Sequence, residues 1–171
     1  MLVGVNDYLR KKNLVNYFLL IRWTHWLKSV FVMIGFAFSG LWLNNLFSML
    51  IAVFAFGFAA SAIYIYNDIK DLEHDLKHPT KKFRALASGS INIEQALPFM
   101  SFLIILSFAL SFMLSNQAVF IISLYLTINV FYSNSLKHIP YVDVLCIGSG
   151  FMLRILMGTW AINITPSNWL L

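Results

Sequence analysis

Long apolar runs constrain this chain more than any other feature. A helix needs about 20 apolar residues to cross the hydrocarbon core of a bilayer. Five stretches approach that length, at roughly residues 30–43, 46–66, 96–114, 118–132 and 142–162. The first and fourth are short and are expected to extend into their flanks. Of the 171 residues, 60% are hydrophobic and only 11% charged, against roughly 25% charged in an average soluble domain. The sequence therefore predicts an all-α, polytopic membrane helix bundle, with five transmembrane helices in one domain covering residues 1–171.

This class changes the meaning of the net charge of +5. In a membrane protein, basic residues set orientation and meet anionic headgroups or phosphates, so nucleic acid is not an expected partner. The single cysteine, Cys146, lies in an apolar run and reads as a packed core residue; a disulfide within the chain is excluded. Arg10, Lys11 and Lys12 precede apolar residues, but no small-residue cleavage site follows, so a cleaved signal is not expected. Residues 1–28 read as a lead-in to the first membrane helix.

The basic residues are placed with almost complete asymmetry. Arg10, Lys11, Lys12, Arg22 and Lys28 lie in the lead-in. Lys70, Lys77, Lys81, Lys82 and Arg84 lie in the 67–95 connector, and Lys137 lies in the 133–141 connector. The opposite connectors and the tail carry none, and the twelfth, Arg154, falls inside the fifth apolar run. The positive-inside rule puts the N-terminus and both charged connectors in the cytoplasm.

Within that cytoplasmic set, four of the seven acidic residues crowd into Asn67-Asp68-Ile69-Lys70-Asp71-Leu72-Glu73-His74-Asp75, directly after an apolar run. If the second helix continues through Asp75, Asp68, Asp71 and Asp75 share one face, because positions i, i+3 and i+7 are neighbours. Asn67 sits at its edge. Clustered carboxylates repel one another, and a hard cation such as Mg²⁺ relieves that repulsion. Mg²⁺ commonly bridges one or two carboxylates to substrate phosphates. The alternative is a solvated charged loop. His78-Pro79 is expected to end the helix, and Ser88-Gly89-Ser90 to form a turn.

Cations surround this cluster. Lys81, Lys82 and Arg84 follow it and suit phosphate oxygens, the arginine through a bidentate fork and the lysines as point charges; as a plain reading, the lysines anchor the cytoplasmic side. Arg22 and Lys28 flank the first helix as headgroup contacts or phosphate ligands, while Trp23 and Trp26 read as interfacial residues. Tyr132 and Lys137 close the fourth helix within reach of a phosphate or a reacting oxygen. Arg154 lies about 16 Å beyond Asp143 along the fifth helix at 1.5 Å per residue. An arginine at that depth is a functional candidate by default; the plain alternative is an ion pair with another helix. Gly148, Gly150 and Gly158 flank it and permit close helix approach.

Together these residues resemble a known family. Asn67-Asp68-x-x-Asp71-x-x-x-Asp75 is similar to the first aspartate-rich motif of the UbiA superfamily of intramembrane prenyltransferases. Four further stretches narrow the resemblance to its decaprenyl-phosphate phosphoribosyltransferase branch. They are Arg22-x-x-x-Trp26-x-Lys28, His78-Pro79-Thr80-Lys81-x-Phe83-Arg84, Tyr132-Ser133-x-x-Leu136-Lys137-His138 and Ser149-Gly150-Phe151-x-Leu153-Arg154-x-x-x-Gly158. The resemblance implies an all-helical enzyme of the bacterial plasma membrane, usually with nine transmembrane helices. It implies transfer of 5-phosphoribose from phosphoribosyl pyrophosphate to a polyprenyl phosphate of the cell envelope, with release of pyrophosphate. By position, Asn67, Asp68, Asp71 and Asp75 become metal and diphosphate residues. Lys81, Arg84, Tyr132, Lys137 and Arg154 become phosphate or acceptor contacts.

There are departures. Ala85 stands where the family usually has proline, as does Trp23, and Ser29 stands for asparagine. The chain stops after five expected helices, before the family's second acidic motif. It therefore reads as apparently truncated, to be completed by a C-terminal half or a homo-oligomer. Two other readings stay open: prenyl transfer from a polyprenyl diphosphate to an aromatic acceptor, and a truncated non-catalytic membrane protein or split subunit.

Overall fold

The computed structural model describes residues 15–38, 40 and 43–166. Arg10, Lys11 and Lys12 and the last part of the uncharged tail lie outside the described residues. Within them the chain is helical: α1 (described over 15–21), α2 (Val30–Phe38), α3 (Leu46–Lys70), α4 (Leu72–Lys77), α5 (Ile93–Phe112), α6 (Asn116–Asn134) and α7 (Val142–Trp160), with short 3-10 turns between several of them.

Among the described residues, three helices are long and apolar enough to cross a membrane: α3, α5 and α7. That is fewer than the five spans expected, for local reasons. The α6 helix has 19 residues but opens on Asn116-Gln117 and carries Asn129 and Asn134, which dilute its apolar character. The α2 helix has only nine residues. It is preceded by a 3-10 helix at Trp23–Ser29 and followed by Gly40 in a left-handed conformation, and residues 39, 41 and 42 of the expected first span lie outside the described set.

The α3 helix forms the centre. Ala52, Ala55, Ala59, Ala60 and Ala62 are buried along it. Small side chains let neighbouring helices come close, which is how membrane helices gain packing without a hydrophobic drive between them. The Ser107 hydroxyl of α5 donates to the Ala55 carbonyl across that contact (2.7 Å). Bulky side chains such as Phe47, Phe102, Ile105, Phe112 and Leu145 point outward, as lipid-facing residues do.

The α2 and α7 helices meet through Gly35 and Gly158. A methyl group on Gly158 would strike the Val32 carbonyl and the Gly35 backbone, and one on Gly35 would strike the Ile155 carbonyl. Trp26, expected at the interface, is instead docked on α3. Its ring lies where a Gly57 side chain would be, and its indole N–H donates to Ser61 Oγ (3.0 Å). Trp23 is exposed.

The connectors follow their turn chemistry. His78 is extended (ψ 135°) before Pro79 and ends α4. Gly89 takes φ 71° in the Ser88-Gly89-Ser90 turn. The Asn92 backbone N–H donates to Gln95 Oε1 (3.3 Å) at the start of α5. Ser115 caps α6, accepting from the Ala118 N–H (3.0 Å), and its hydroxyl donates to the Trp160 carbonyl at the far end of α7 (2.7 Å). The opposite end of the bundle therefore gathers the C-termini of α3 and α6 and the N-terminus of α7.

Candidate functional site

That end holds the acidic motif. The α3 helix closes at Lys70, Asp71 takes a non-helical conformation (φ −93°, ψ 7°), and α4 resumes at Leu72. The backbone stays in register, because the Asp71 N–H donates to the Asn67 carbonyl (2.9 Å) and the Asp75 N–H to the Asp71 carbonyl (2.8 Å). The expected single face is thereby divided. Asp68 and Asp75 stay together and are buried, while Asp71 is half-exposed and faces a different cation.

Arg22 and Arg84 converge on Asp68. Arg22 Nη2 donates to Asp68 Oδ1. Arg84 Nη1 donates to the same oxygen (3.1 Å) and to Asp75 Oδ2 (2.6 Å). Lys137 Nζ, from the connector after α6, donates to Asp71 Oδ1 (2.7 Å). Each contact uses one carboxylate oxygen and leaves the other as a further acceptor. Asn67 Oδ1 accepts from the Ser133 hydroxyl of α6. Among the described residues, no group of three Asp, Glu, His or Cys side chains is gathered as a metal cluster, because Arg84 and Lys137 draw the carboxylates to separate partners.

Backbone strain contributes to this arrangement. Arg22 has φ 53° and ψ 50°, a left-handed conformation that costs a non-glycine residue on the order of 1–3 kcal/mol. It ends α1 and starts the 3-10 turn. The carbonyl of Ile21 that this break exposes accepts from the Ser61 hydroxyl of α3 (2.8 Å). The guanidinium lies over the Tyr64 ring (5.3 Å to its centroid), and Tyr64 in turn packs on His25 (5.0 Å). Burial pushes the His25 imidazole below its ordinary value, and the neighbouring charges of Arg22, Lys28 and Arg84 push the same way. A cleft of about 390 Å³ opens here, lined by Arg22, His25, Asp68, Arg84, Ser88 and Ser90 among others.

A second cleft, of about 150 Å³, is lined in part by Lys28, Asn67, Asn129, Tyr132, Cys146 and Arg154. Cys146, expected in the packed core, is half-buried in this wall. The Tyr132 hydroxyl donates to Asp143 Oδ1 at the start of α7 (2.7 Å). Arg154 is only 5% exposed. It donates through Nη1 to the Gly150 carbonyl of its own helix (2.6 Å). Its guanidinium lies against Phe56, Tyr125 and Phe151, at 4.7, 5.4 and 5.7 Å from their centroids, and its Nε has no partner. The interhelical ion pair weighed for it is not formed among the described residues.

Of the sequence candidates, Arg22, Asn67, Asp68, Asp71, Asp75, Arg84 and Lys137 come together at one end of the bundle, with Lys28, Tyr132 and Arg154 around the adjacent cleft. Lys81 and Lys82 are exposed beyond them, and Lys82 lies over the Phe83 ring (5.2 Å). Sequence reasoning missed the partners: Tyr64 beneath Arg22, Ser133 on Asn67, Ser61 on the Ile21 carbonyl, and the aromatic cage around Arg154. The polar residue Ser61 inside an apolar run was the signal for one of these.

Comparison with known proteins shows the family. The model of the UbiA prenyltransferase family matches residues 29–171. The chain is similar to decaprenyl-phosphate phosphoribosyltransferase of Corynebacterium glutamicum, at 38% identity over 75% of this chain and 39% of that protein. It is similar to the enzyme of the same name from Mycobacterium tuberculosis, at 31% identity over 88% of this chain and 52% of that one. A solved structure of digeranylgeranylglyceryl phosphate synthase superposes with a TM-score of 0.79 at 26% identity, over 87% of this chain and 53% of that one. The chain thus spans about half, or less, of the length of each.

Proposed function

The chain belongs to the UbiA prenyltransferase family and is an integral membrane protein, and from that premise we propose that it serves Mg²⁺-dependent transfer of 5-phosphoribose from phosphoribosyl pyrophosphate to a polyprenyl phosphate, with release of pyrophosphate. The observation that carries this reading is the convergence of Arg22 and Arg84 on one buried carboxylate, Asp68, with Asp75 sharing Arg84 and Asp71 holding Lys137. Carboxylates and cations are interleaved there, as a metal-bound diphosphate requires. The two named phosphoribosyltransferases support the donor and acceptor.

The residues fit a hard divalent cation by their chemistry. Asn67, Asp68, Asp71 and Asp75 offer only oxygen donors, which Mg²⁺ prefers. Arg84 already bridges Asp68 and Asp75, so a divalent ion would take up these carboxylates as Arg84 turns to phosphate oxygens. When bound, the ion neutralises charge on the diphosphate leaving group.

The chain's own cations do the rest. Arg22, Arg84 and Lys137 exchange their carboxylate partners for phosphate oxygens, with Lys81 from the exposed connector. They stabilise the charge that builds as the bond between the ribosyl C1 and the pyrophosphate oxygen breaks. A lipid phosphate oxygen forms the new bond to C1. The acceptor is already anionic, so no strong base is required, consistent with the lack of a nucleophile–base pair among the candidates. Tyr132 and Arg154 lie on the acceptor side of this scheme.

The positive-inside asymmetry supports the matching topology: five membrane-crossing segments, the stretch that contains α2 and the α6 helix joining α3, α5 and α7, and the site on the cytoplasmic face of a bacterial plasma membrane. The test is incorporation of ribose label from phosphoribosyl pyrophosphate into lipid by membranes that carry the protein. Mg²⁺-dependent label in a polyprenyl product is expected; no label with polyprenyl phosphate present sinks the reading. A second reading, prenyl transfer from a polyprenyl diphosphate, is favoured by the likeness to the solved synthase. It would leave ribose unincorporated and instead consume the diphosphate.

A further inference from the structure

His25 and Tyr64 carry hydrogen-bonding groups that the diphosphate site does not use. Their rings stack with centroids 5.0 Å apart, inclined at 53°, and Tyr64 also has the Arg22 guanidinium over its face. The His25 backbone N–H donates to the Arg22 carbonyl (2.8 Å), so the turn that begins at the left-handed Arg22 fixes the imidazole as well. Both side chains are half-buried. Among the described residues, neither the imidazole nitrogens of His25 nor the Tyr64 hydroxyl hydrogen-bond to another group; their contacts are through the rings.

Their place in the fold gives these groups a use. His25 lines the cleft of Arg22, Asp68 and Arg84, and also a groove of about 410 Å³ beside it that Lys28 and Phe31 help to form. Tyr64 lines the smaller cleft of Asn67, Tyr132 and Arg154. The stacked pair therefore stands where the diphosphate cleft meets the acceptor side. In the transfer, one carbon is bonded to the leaving diphosphate and approached by the incoming phosphate, so the group that carries it lies at that boundary. The cations around it suit phosphates and not a sugar. Arg22, Lys28 and Arg84 can only donate, whereas a hydroxyl group both donates and accepts. An uncharged imidazole has one donor and one acceptor nitrogen, and a phenol hydroxyl does both. Burial and the charges of Arg22, Lys28 and Arg84 hold His25 uncharged near neutral pH.

We propose that His25 and Tyr64 determine specificity for the transferred group, with the imidazole and the phenol hydroxyl hydrogen-bonding the ring hydroxyls of a pentose. The identity of that pentose as the ribose of phosphoribosyl pyrophosphate rests on the phosphoribosyl reading above, while the preference for a hydroxylated group over a hydrocarbon rests on the pair itself. A prenyl segment in the same place would cover both groups and offer them no partner, which costs affinity. The cations then hold the phosphates at either end of the donor, and the stacked pair reads what lies between them.

The test is calorimetric binding to the protein in phosphatidylcholine nanodiscs with Mg²⁺, using phosphoribosyl pyrophosphate, inorganic pyrophosphate and farnesyl diphosphate in separate titrations. One neutral hydrogen bond is worth about three- to tenfold in affinity, so His25→Leu and Tyr64→Phe should each weaken phosphoribosyl pyrophosphate by that factor. Both should keep pyrophosphate within about twofold, which a merely structural role would not allow. His25→Gln restores a donor and an acceptor and should bind phosphoribosyl pyrophosphate as the unaltered protein does. If His25→Leu does not fold, Tyr64→Phe, which keeps the ring under Arg22, decides. Undiminished phosphoribosyl pyrophosphate binding in a folded variant overturns the assignment for that residue, and an equal loss of pyrophosphate overturns it for both. Unaltered protein that binds farnesyl diphosphate and not phosphoribosyl pyrophosphate sinks the phosphoribosyl reading, and this assignment with it.

Discussion

Asp68 is the residue on which the site turns. It is buried, yet it accepts from two arginines that are 46 and 16 positions away in sequence. Truncating it removes the one carboxylate that Arg22 meets and one of the two that Arg84 meets, leaving Arg84 on Asp75. Asp68→Ala and Asp71→Ala should each abolish Mg²⁺-dependent turnover, as should EDTA on the intact protein; near-normal turnover in either variant would contradict the metal assignment. His25 gives a pH signature. Its pKa lies below the ordinary 6.5, so just below pH 6.5 the unfolded chain binds more protons than the folded one, and stability falls as pH drops through that window. His25→Gln should flatten this slope in thermal unfolding measured from pH 7.5 downward; an unchanged slope would refute it. At this scale the sequence made the charged residues readable, because charge is rare in an apolar chain. It could not make their pairing readable. Arg84 was placed as a phosphate contact, whereas in the structure it bridges Asp68 to Asp75, a contact set by the path of the 78–91 connector. The aromatic cage of Arg154 was hidden for a similar reason: Phe56 and Tyr125 are distant in sequence and look like ordinary lipid-facing residues, and only Phe151, one turn before it on α7, is near.

At the scale of elements, helix interfaces are set by small residues. Gly35 and Gly158 bring α2 and α7 into backbone contact, and α7 carries Arg154 while α2 follows Lys28. Gly158→Leu should therefore lower the melting temperature and weaken the seating of both cations. Overpacking costs typically 1–3 kcal/mol, and more where backbone rather than side chain must shift. Gly148, with open space around it, is the control: Gly148→Ala should leave the melting temperature nearly unchanged. Equal effects of the two substitutions would show that the α2–α7 contact does not limit stability. Four of the five apolar runs became helices close to their expected ends, because hydrophobic length and flanking turn residues mark them directly. The first did not. Its helix begins at the expected Val30 but is described only to Phe38, ahead of Gly40 in a left-handed conformation. The break at Asp71 was invisible, since the i, i+3, i+7 spacing described an unbroken helix.

At the scale of the whole molecule, the described charged side chains other than Arg154 share one end of the bundle, and Ser115 and Trp160 join at the other. Sided labelling tests that orientation. In a Cys146→Ser background, Lys82→Cys should react with a membrane-impermeant maleimide only from the cytoplasmic face, and Gln117→Cys only from the opposite face; reversed reactivity would overturn the topology. The helical class, the membrane setting and the family were legible from the apolar runs and the spaced motifs. Which cations meet which carboxylates was not, because that depends on how three helix ends are brought together. The central claim is the donor: activated ribose rather than an activated prenyl chain. The most direct measurement offers the membrane-embedded protein phosphoribosyl pyrophosphate with polyprenyl phosphate, and in parallel a polyprenyl diphosphate with an aromatic acceptor, and weighs the lipid products by mass spectrometry. The account expects a Mg²⁺-dependent phosphoribosylated lipid in the first arm and no product in the second. A prenylated product in the second arm with none in the first would contradict it.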